Sequence, residues 1–466
     1  MENRTKIIGT IGPASQDKAI LKRMIAAGLD CVRLNFSHGT YPQFAGIIHR
    51  VRELSKEMGR EIAIMQDLQG PKIRVGELPE EGVEAREGEI ITLAITKEKG
   101  TIPIQYHDLP KDVHAGDTIL VSDGLIELTV IEVNSVKTKI QCRVKAGGVI
   151  KTHKGINVPT ASISAYPLTK KDKQDLAFGI HHHVDYVALS FVKEAENIFE
   201  LKRILRQKKS PAKVIAKIER HEAITNMESI IKAADAVMVA RGDLGVELPA
   251  EKLPLYQKKI IHLSNMYGKP VIVATEMLNS MVESPRATRA EISDAATAIF
   301  DHADALMLAN ETAVGKYPVE AIKTLARVAS AVEHELKDHP HLLNLKRPED
   351  MPITNATCLN ATKLAHDIAA KFIVAITRSG YTAQEIAKYR PFIPVIVFTP
   401  DQHVARQMRL VWGVTHSFVQ FIHLNTPLVQ IRKTLLEHKL VKTGDEIVVC
   451  NAGFGKREKL ITTTMI

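Results

Sequence analysis

Eight short runs of β-branched and apolar residues recur along this chain, and most are separated by a stretch with helical periodicity. The runs are TKIIGTIG (5–12), CVRLNFS (31–37), IAIMQDLQ (62–69), DYVALSF (185–191), KVIAKIE (213–219), AVMVARGD (236–243), PVIVATEM (270–277) and ALMLANET (305–312). KAILKRMIAAGL, ENIFELKRILRQ and LYQKKIIHLSNMYG are among the helical stretches between them. Strands alternating with helices imply a parallel sheet. Eight such units predict an α/β fold of the (β/α)₈ TIM-barrel type. An open doubly wound sheet is the alternative, and the lack of G-x-G-x-x-G after the first strand weakens it.

Two stretches break the rhythm. Between Gln69 and Asp185, residues 71–167 read as β-rich, with EIITLAI, DTILVSDG, LIELTVIEV and KTKIQCRVKAGG separated by Gly, Asp and Asn turns. A compact β-rich unit inserted after the third strand would sit over the barrel mouth as a lid. From about residue 345 the polar, Pro-bearing LKRPEDMPIT leads into helix, strand, helix, strand (ATCLNATKLAHDIAA, FIVAITRSG, TAQEIAKYR, PVIVFTP). The expected divisions are a barrel in two parts (1–70 and 168–344), a β-rich lid (71–167) and a C-terminal open α/β regulatory domain (345–466). No internal sequence repeat or low-complexity tract is evident.

A length of 466 residues exceeds one ordinary core, which agrees with two or three domains. Apolar content of 45% and charged content of 25% are those of a soluble protein, and no apolar run reaches the roughly 20 residues of a membrane span. The N-terminus enters a strand with no signal-peptide pattern, so a cytoplasmic location and no membrane partner are expected. Cys31, Cys142, Cys358 and Cys450 form no C-x-x-C pair, which argues against a disulfide framework or a cysteine zinc site. The net charge of +9 is scattered among acidic residues, and aromatic content is 5%. A basic site for phosphorylated small molecules suits this better than nucleic acid.

In such barrels the loops after the strands build the active site. Polar residues accumulate there: Arg33, Asn35 and Ser37 after strand two, Asp67 after three, Lys217 and Glu219 after five, Arg241 and Asp243 after six, Thr275 after seven. Two carboxylates on neighbouring strands, Glu219 and Asp243, suit Mg²⁺; no His or Cys accompanies them, which argues against zinc. Lys217, two residues before Glu219, lies on the same strand face and can meet a phosphoryl group. Gly242 allows close backbone approach, and RGDLGVEL is expected to open a short helix whose N–H groups could bind a substrate carboxylate. The parts describe phosphoryl transfer on a phosphorylated, carboxylate-bearing substrate.

TKIIGTIGPAS, CVRLNFSHGT, DLQGPKIRVG, KGINVP, KIERHEAI, VMVARGDLGVE, VATEML and PRATRAEISDAATAIFDHADALMLANETAVGKYP resemble, in order, the signature blocks of pyruvate kinases. The resemblance implies phosphoenolpyruvate + ADP + H⁺ ⇌ pyruvate + ATP. It gives Mg²⁺ to Glu219 and Asp243, with a second Mg²⁺ arriving with ADP. Lys217 matches the lysine that stabilises the transferring group, and Arg33 matches a phosphate-binding arginine. The backbone at Gly242 and Asp243, with Thr275, would hold the substrate carboxylate, and Thr275 would stand near the carbon to be protonated. Asn35, Ser37, His38, Arg74 and Lys154 match nucleotide-side positions. The family is commonly a homotetramer. The competing reading is a Mg²⁺-dependent lyase or aldolase of the phosphoenolpyruvate/pyruvate barrel type, which lacks both the long lid and the S-H-G segment.

One departure concerns K⁺, which many members hold with the counterparts of Asn35, Ser37, Asp67 and the Leu68 carbonyl. Lys72 stands where those members have glutamate, and its ammonium could supply the charge that K⁺ gives elsewhere. K⁺ is therefore expected not to be required. In the C-terminal domain, Thr377-Arg378-Ser379-Gly380-Tyr381-Thr382 follows a strand and precedes a helix. In the family this loop binds phosphorylated activators; Tyr381 favours a sugar monophosphate or nucleotide monophosphate. The adjacent His181, His182 and His183 are expected to be a solvated turn. GFGKREKL is expected to be a turn before the last strand, and Trp412 to serve packing or effector-loop support.

Overall fold

The computed structural model describes residues 3–336, 351–423, 425–452 and 459–466. All eight runs become strands of one closed parallel barrel: β1 (Lys6–Thr10), β2 (Cys31–Asn35), β3 (Ala63–Asp67), β4 (Tyr186–Leu189), β5 (Lys213–Ile218), β6 (Ala236–Ala240), β7 (Val271–Ala274) and β8 (Ala305–Leu308). Closure is made by β1, which pairs Ile8 with Cys31 of β2 and Lys6 with Ala305 of β8. Alternate residues feed two cores. Ile8, Met65, Ala188, Ile215 and Met238 fill the interior, while Ile7, Ile64, Val187, Val214 and Val237 pack beneath the helices. Both faces are buried, so the strands read as continuous apolar runs without polar alternation.

An aspartate stands immediately before every second strand: Asp30 before β2, Asp185 before β4, Asp235 before β6 and Asp304 before β8. Each accepts a backbone N–H from the odd-numbered strand beside it. The donors are Ile7 (2.9 Å), Ile64 (2.8 Å), Val214 (2.8 Å) and Val271 (3.0 Å). Every carboxylate also meets a cation: Arg60 and Arg409 at Asp30, Arg52 at Asp185, Lys202 at Asp235 and Arg390 at Asp304. Burial alone would raise the Asp30 carboxyl, but Arg409, Lys6 and Arg60 hold it below its ordinary value.

Arg390 and Arg409 belong to the C-terminal α/β unit, which docks on this end of the barrel. Tyr186 donates to the Gln407 carbonyl (2.8 Å), and Trp412 lies 5.1 Å from the Arg390 guanidinium at the same junction. Trp412 thus packs the seam between barrel and C-terminal unit. The C-terminal sheet runs Val414–Val419, Val395–Thr399, Phe372–Ile376, Glu446–Asn451, Leu460–Met465, with the last strand antiparallel. Residues 345–350 of the linker and 453–458 of GFGKREKL lie outside the described residues. The opposite end of the barrel is left open for chemistry.

Between β3 and β4 the insertion builds a six-stranded sheet in the order Ile156–Asn157, Thr118–Val121, Ile126–Val133, Lys139–Ala146, Ile90–Ala94, Ile102–Pro103. A separate two-stranded ribbon pairs Val83–Ala85 with Gly148–Ile150. The four longer strands are those read from the sequence; segments of two or three residues show no period. His181 ends the helix Lys170–His181 and is exposed with His183, while the His182 ring lies 4.2 Å from that of Phe178. No helix among the described residues is long and apolar enough to cross a membrane.

The aspartate ties carry a pH signature. Asp30→Asn should cost about 3–5 kcal/mol at neutral pH, because it leaves two arginines facing a neutral amide in the interior. The native contribution is present above the unfolded-state value near 3.9 and is lost as pH falls through the lower folded value. Denaturant unfolding of the two proteins should therefore differ fully near pH 7, and the difference should begin to shrink only as pH falls below about 4.

Candidate active site

Lys217 lies near the C-terminal end of β5 with a side chain 11% exposed. Its ammonium is 3.1 Å from Glu219 Oε2 and 3.5 Å from Asp67 Oδ1, and it donates to Ser190 Oγ at 2.7 Å. The Ser190 hydroxyl in turn donates to the Leu68 carbonyl at 2.7 Å. Arg33, projecting from β2, grips the other Asp67 oxygen at 2.7 Å and donates to Thr10 Oγ1 at 3.0 Å. Cations and carboxylates thus alternate across β2, β3 and β5. Burial pulls the Lys217 ammonium down, yet Asp67, Glu219 and Asp243 outweigh it and leave Lys217 firmly charged. Burial also raises Asp67, but Lys217 and Arg33 bring it below its ordinary value.

Glu219 differs. Burial pushes its carboxyl up to about 7 against the pull of Lys217, and the nearby Asp243 charge adds to the rise. Oε1 accepts the Phe191 N–H at 2.6 Å, whereas the buried Oε2 makes no hydrogen bond and has only the ion-pair contact with Lys217 at 3.1 Å. An unbonded buried carboxylate oxygen with a second carboxylate close by is an all-oxygen donor set, and it fits Mg²⁺.

Strand β6 stops at Ala240, and Arg241–Glu247 form a helix. Arg241 and Asp243 therefore sit in a helical first turn, in the short helix expected of RGDLGVEL, and not on the strand. Arg241 turns toward β7: it holds Asp294 at 2.6 and 2.8 Å and donates to the Thr275 carbonyl at 2.7 Å. The Gly242 N–H donates to Thr275 Oγ1 at 2.7 Å. Thr275 has φ +71°, a conformation that a β-branched residue adopts only under constraint. Its neighbours fix it there, with the hydroxyl beside the Gly242 backbone.

Residues 2–322 match the family model for the pyruvate kinase barrel domain, and residues 355–464 match that for its alpha/beta domain. The chain belongs to the pyruvate kinase family. It is 42% identical over 459 residues to pyruvate kinase 2 of Synechocystis sp., spanning 97% of this chain and 77% of that protein. It is 41% identical to the pyruvate kinase of Geobacillus stearothermophilus, over 96% of this chain and 77% of the relative. Among solved structures, a pyruvate kinase from Cryptosporidium parvum superimposes with a TM-score of 0.94 at 33% identity, covering 100% of this chain and 96% of that one. These likenesses do not favour the lyase reading.

The positions that the resemblance assigns to the nucleotide are more open. The Asn35 side chain accepts the Ser37 N–H at 3.1 Å, and His38 is exposed just beyond. Arg74 pairs across to Gly155, beside the exposed Lys154, where the insertion leaves and re-enters the barrel. Gly70, at φ +69°, permits this departure, since a Cβ there would lie 2.6 Å from the Phe191 ring. Lys72 is exposed and opens onto a narrow cleft also lined by Phe191, Lys193, Arg220 and Asp243. In the C-terminal loop, Arg378, Ser379 and Tyr381 are exposed, whereas the Thr377 and Thr382 side chains are buried. Thr377 Oγ1 accepts the Gly380 N–H at 3.0 Å, so that N–H and that hydroxyl are already engaged.

Sequence reasoning missed Ser190, Asp294 and Glu247, which contact Lys217, Arg241 and Arg220. Only the S-F following β4 hinted at the first. Ser190→Ala should leave Lys217 charged between Asp67 and Glu219 but free to swing. The turnover number should fall about tenfold, with little change in thermal stability, as steady-state kinetics and a melting curve would show.

Proposed function

We propose that this member of the family transfers the phosphoryl group of phosphoenolpyruvate to ADP at the open barrel end, with Glu219 and Asp243 holding Mg²⁺. The observation that carries the residue assignment is the unbonded, buried Oε2 of Glu219 beside the Lys217 ammonium. A bound Mg²⁺ supplies charge neutralisation for phosphoryl and enolate oxygens. Lys217 offers its cation to the group in flight, held in place by Ser190, Asp67 and Glu219. Arg33 is steadied by Asp67 and Thr10 for a phosphate oxygen. The Gly242 and Asp243 backbone with Thr275 receives the substrate carboxylate, and Thr275 orders the proton path to the enolate carbon.

Asn35, Ser37, His38, Arg74 and Lys154 serve ADP, which brings a second Mg²⁺. Residues 71–167 act as the lid, whose closure keeps water from the phosphoryl group. The remaining divisions, with the barrel at 1–70 and 168–344 and a regulatory domain at 345–466, belong to the same reading. So do a cytoplasmic homotetramer and a monophosphorylated activator at Thr377–Thr382, to which Arg378, Ser379 and Tyr381 offer exposed side chains. Lys72 replaces K⁺: an ammonium opening onto the cleft beside Asp243 supplies the monovalent charge otherwise placed near Asn35, Ser37, Asp67 and Leu68.

A lactate-dehydrogenase-coupled assay with phosphoenolpyruvate and ADP tests the first part. Lys217→Met should abolish turnover while Mg²⁺ and substrate still bind; a variant near the wild-type rate would refute the role of Lys217. For the cation, wild type should run at full rate in K⁺-free buffer, and Lys72→Glu should gain a K⁺ requirement. A strong K⁺ requirement in wild type rejects that assignment.

A further inference from the structure

Glu247 ends the helix that Arg241 begins, and its side chain is fully buried. It meets three groups from two other parts of the chain. Arg220 Nη1 lies 3.3 Å from Oε1, and His221 Nδ1 lies 3.0 Å from Oε2; both residues directly follow Glu219. The third group comes from the lid: Asn157 Nδ2 donates to Oε1 at 3.2 Å. A second lid segment approaches the same helix, where a Cβ on Gly124 would lie 3.7 Å from Val246.

Asp243 and Glu247 are four residues apart and share a helix face. One short rigid element therefore has Asp243 at its start and a lid contact at its end. The cluster is not itself a metal centre. His221, Glu222 and Glu247 offer ligand atoms within 4.8 Å of one another, but Arg220 already pairs with Glu222 at 3.1 Å and Glu247 at 3.3 Å. With that guanidinium in place, the hydrogen bond that lid movement would make or break is the one from Asn157.

We infer that Glu247 is a positioning residue that latches the lid onto the helix carrying Asp243, so that lid closure and the set of that carboxylate change together. The inference rests on the reading of Asp243 as a metal ligand. An amide bonded to a buried carboxylate shifts the lid equilibrium toward closure by about tenfold. Anything that binds better with the lid down gains by the same factor.

Mn²⁺ binding to the full chain, with phosphoenolpyruvate present, is the test. Asn157→Ala should weaken Mn²⁺ about three- to tenfold and raise the KM for ADP by a similar factor, although Asn157 lies outside the metal set. Glu247→Gln should weaken it too, and the double variant should be no weaker than the poorer single one. Unchanged Mn²⁺ affinity in Asn157→Ala, even with a lowered melting temperature, would mean a merely structural bond and would overturn the inference. So would simple additivity in the double variant. Asp243→Asn is the control: if it binds Mn²⁺ like wild type, the metal assignment fails and the latch falls with it.

Discussion

The ammonium of Lys217 is the charge around which the barrel mouth is organised. Asp67 and Glu219 are almost completely shielded from water, with 1% exposure each. Two such carboxylates, without a counter-ion, would take up protons or force the strands apart. Lys217 reaches both, and Arg33 takes the remaining face of Asp67. Asp67 Oδ1 and Glu219 Oε2 are left without a hydrogen bond and face the Lys217 ammonium at 3.5 and 3.1 Å. Two buried carboxylate oxygens at the barrel mouth are thus held by charge alone.

The same residue chemistry serves an opposite purpose at the other end. Asp30, Asp185, Asp235 and Asp304 are each bonded by a strand N–H and by at least one cation. Nothing in that arrangement calls for an added ligand, and its yield is stability and the docking of the C-terminal unit. Burial and charge are alike at the two ends. Three of the four aspartates have both oxygens bonded; Oδ1 of the fully buried Asp185 makes no hydrogen bond and has only the His403 ring nitrogen 3.9 Å away.

Much of this was legible in the sequence, for definite reasons. The eight strands declare themselves because helices cover one face and the barrel interior the other, which leaves uninterrupted apolar runs. The polar residues at strand ends stand out against them. The run AVMVARGD reaches three residues past the strand, because a strand end and a helical first turn look alike over so short a span, although RGDLGVEL did read as a helix start. Ser190, Asp294 and Glu247 were invisible because they act on partners 27, 53 and 27 residues away. The alternating aspartates are a different case: D-C-V, D-Y-V, D-A-V and D-A-L stand in plain view. Only Asp185 falls inside a run as read, and the other three stand one residue ahead of theirs, so the fourfold recurrence went unread.

That recurrence divides the barrel into four modules, each a pair of neighbouring strands stitched by a side chain as well as by the backbone ladder. The insertion falls inside a module, between β3 and β4, and not at a seam between modules. Its stitch, from Ile64 to Asp185, spans 121 residues of chain yet has the same 2.8 Å geometry as the stitch from Val214 to Asp235, which spans 21. The floor of the barrel is thus insulated from whatever the insertion does above it. A large insertion can be grown, shortened or reshaped at one end of such a barrel while the register of the strands is held from the other.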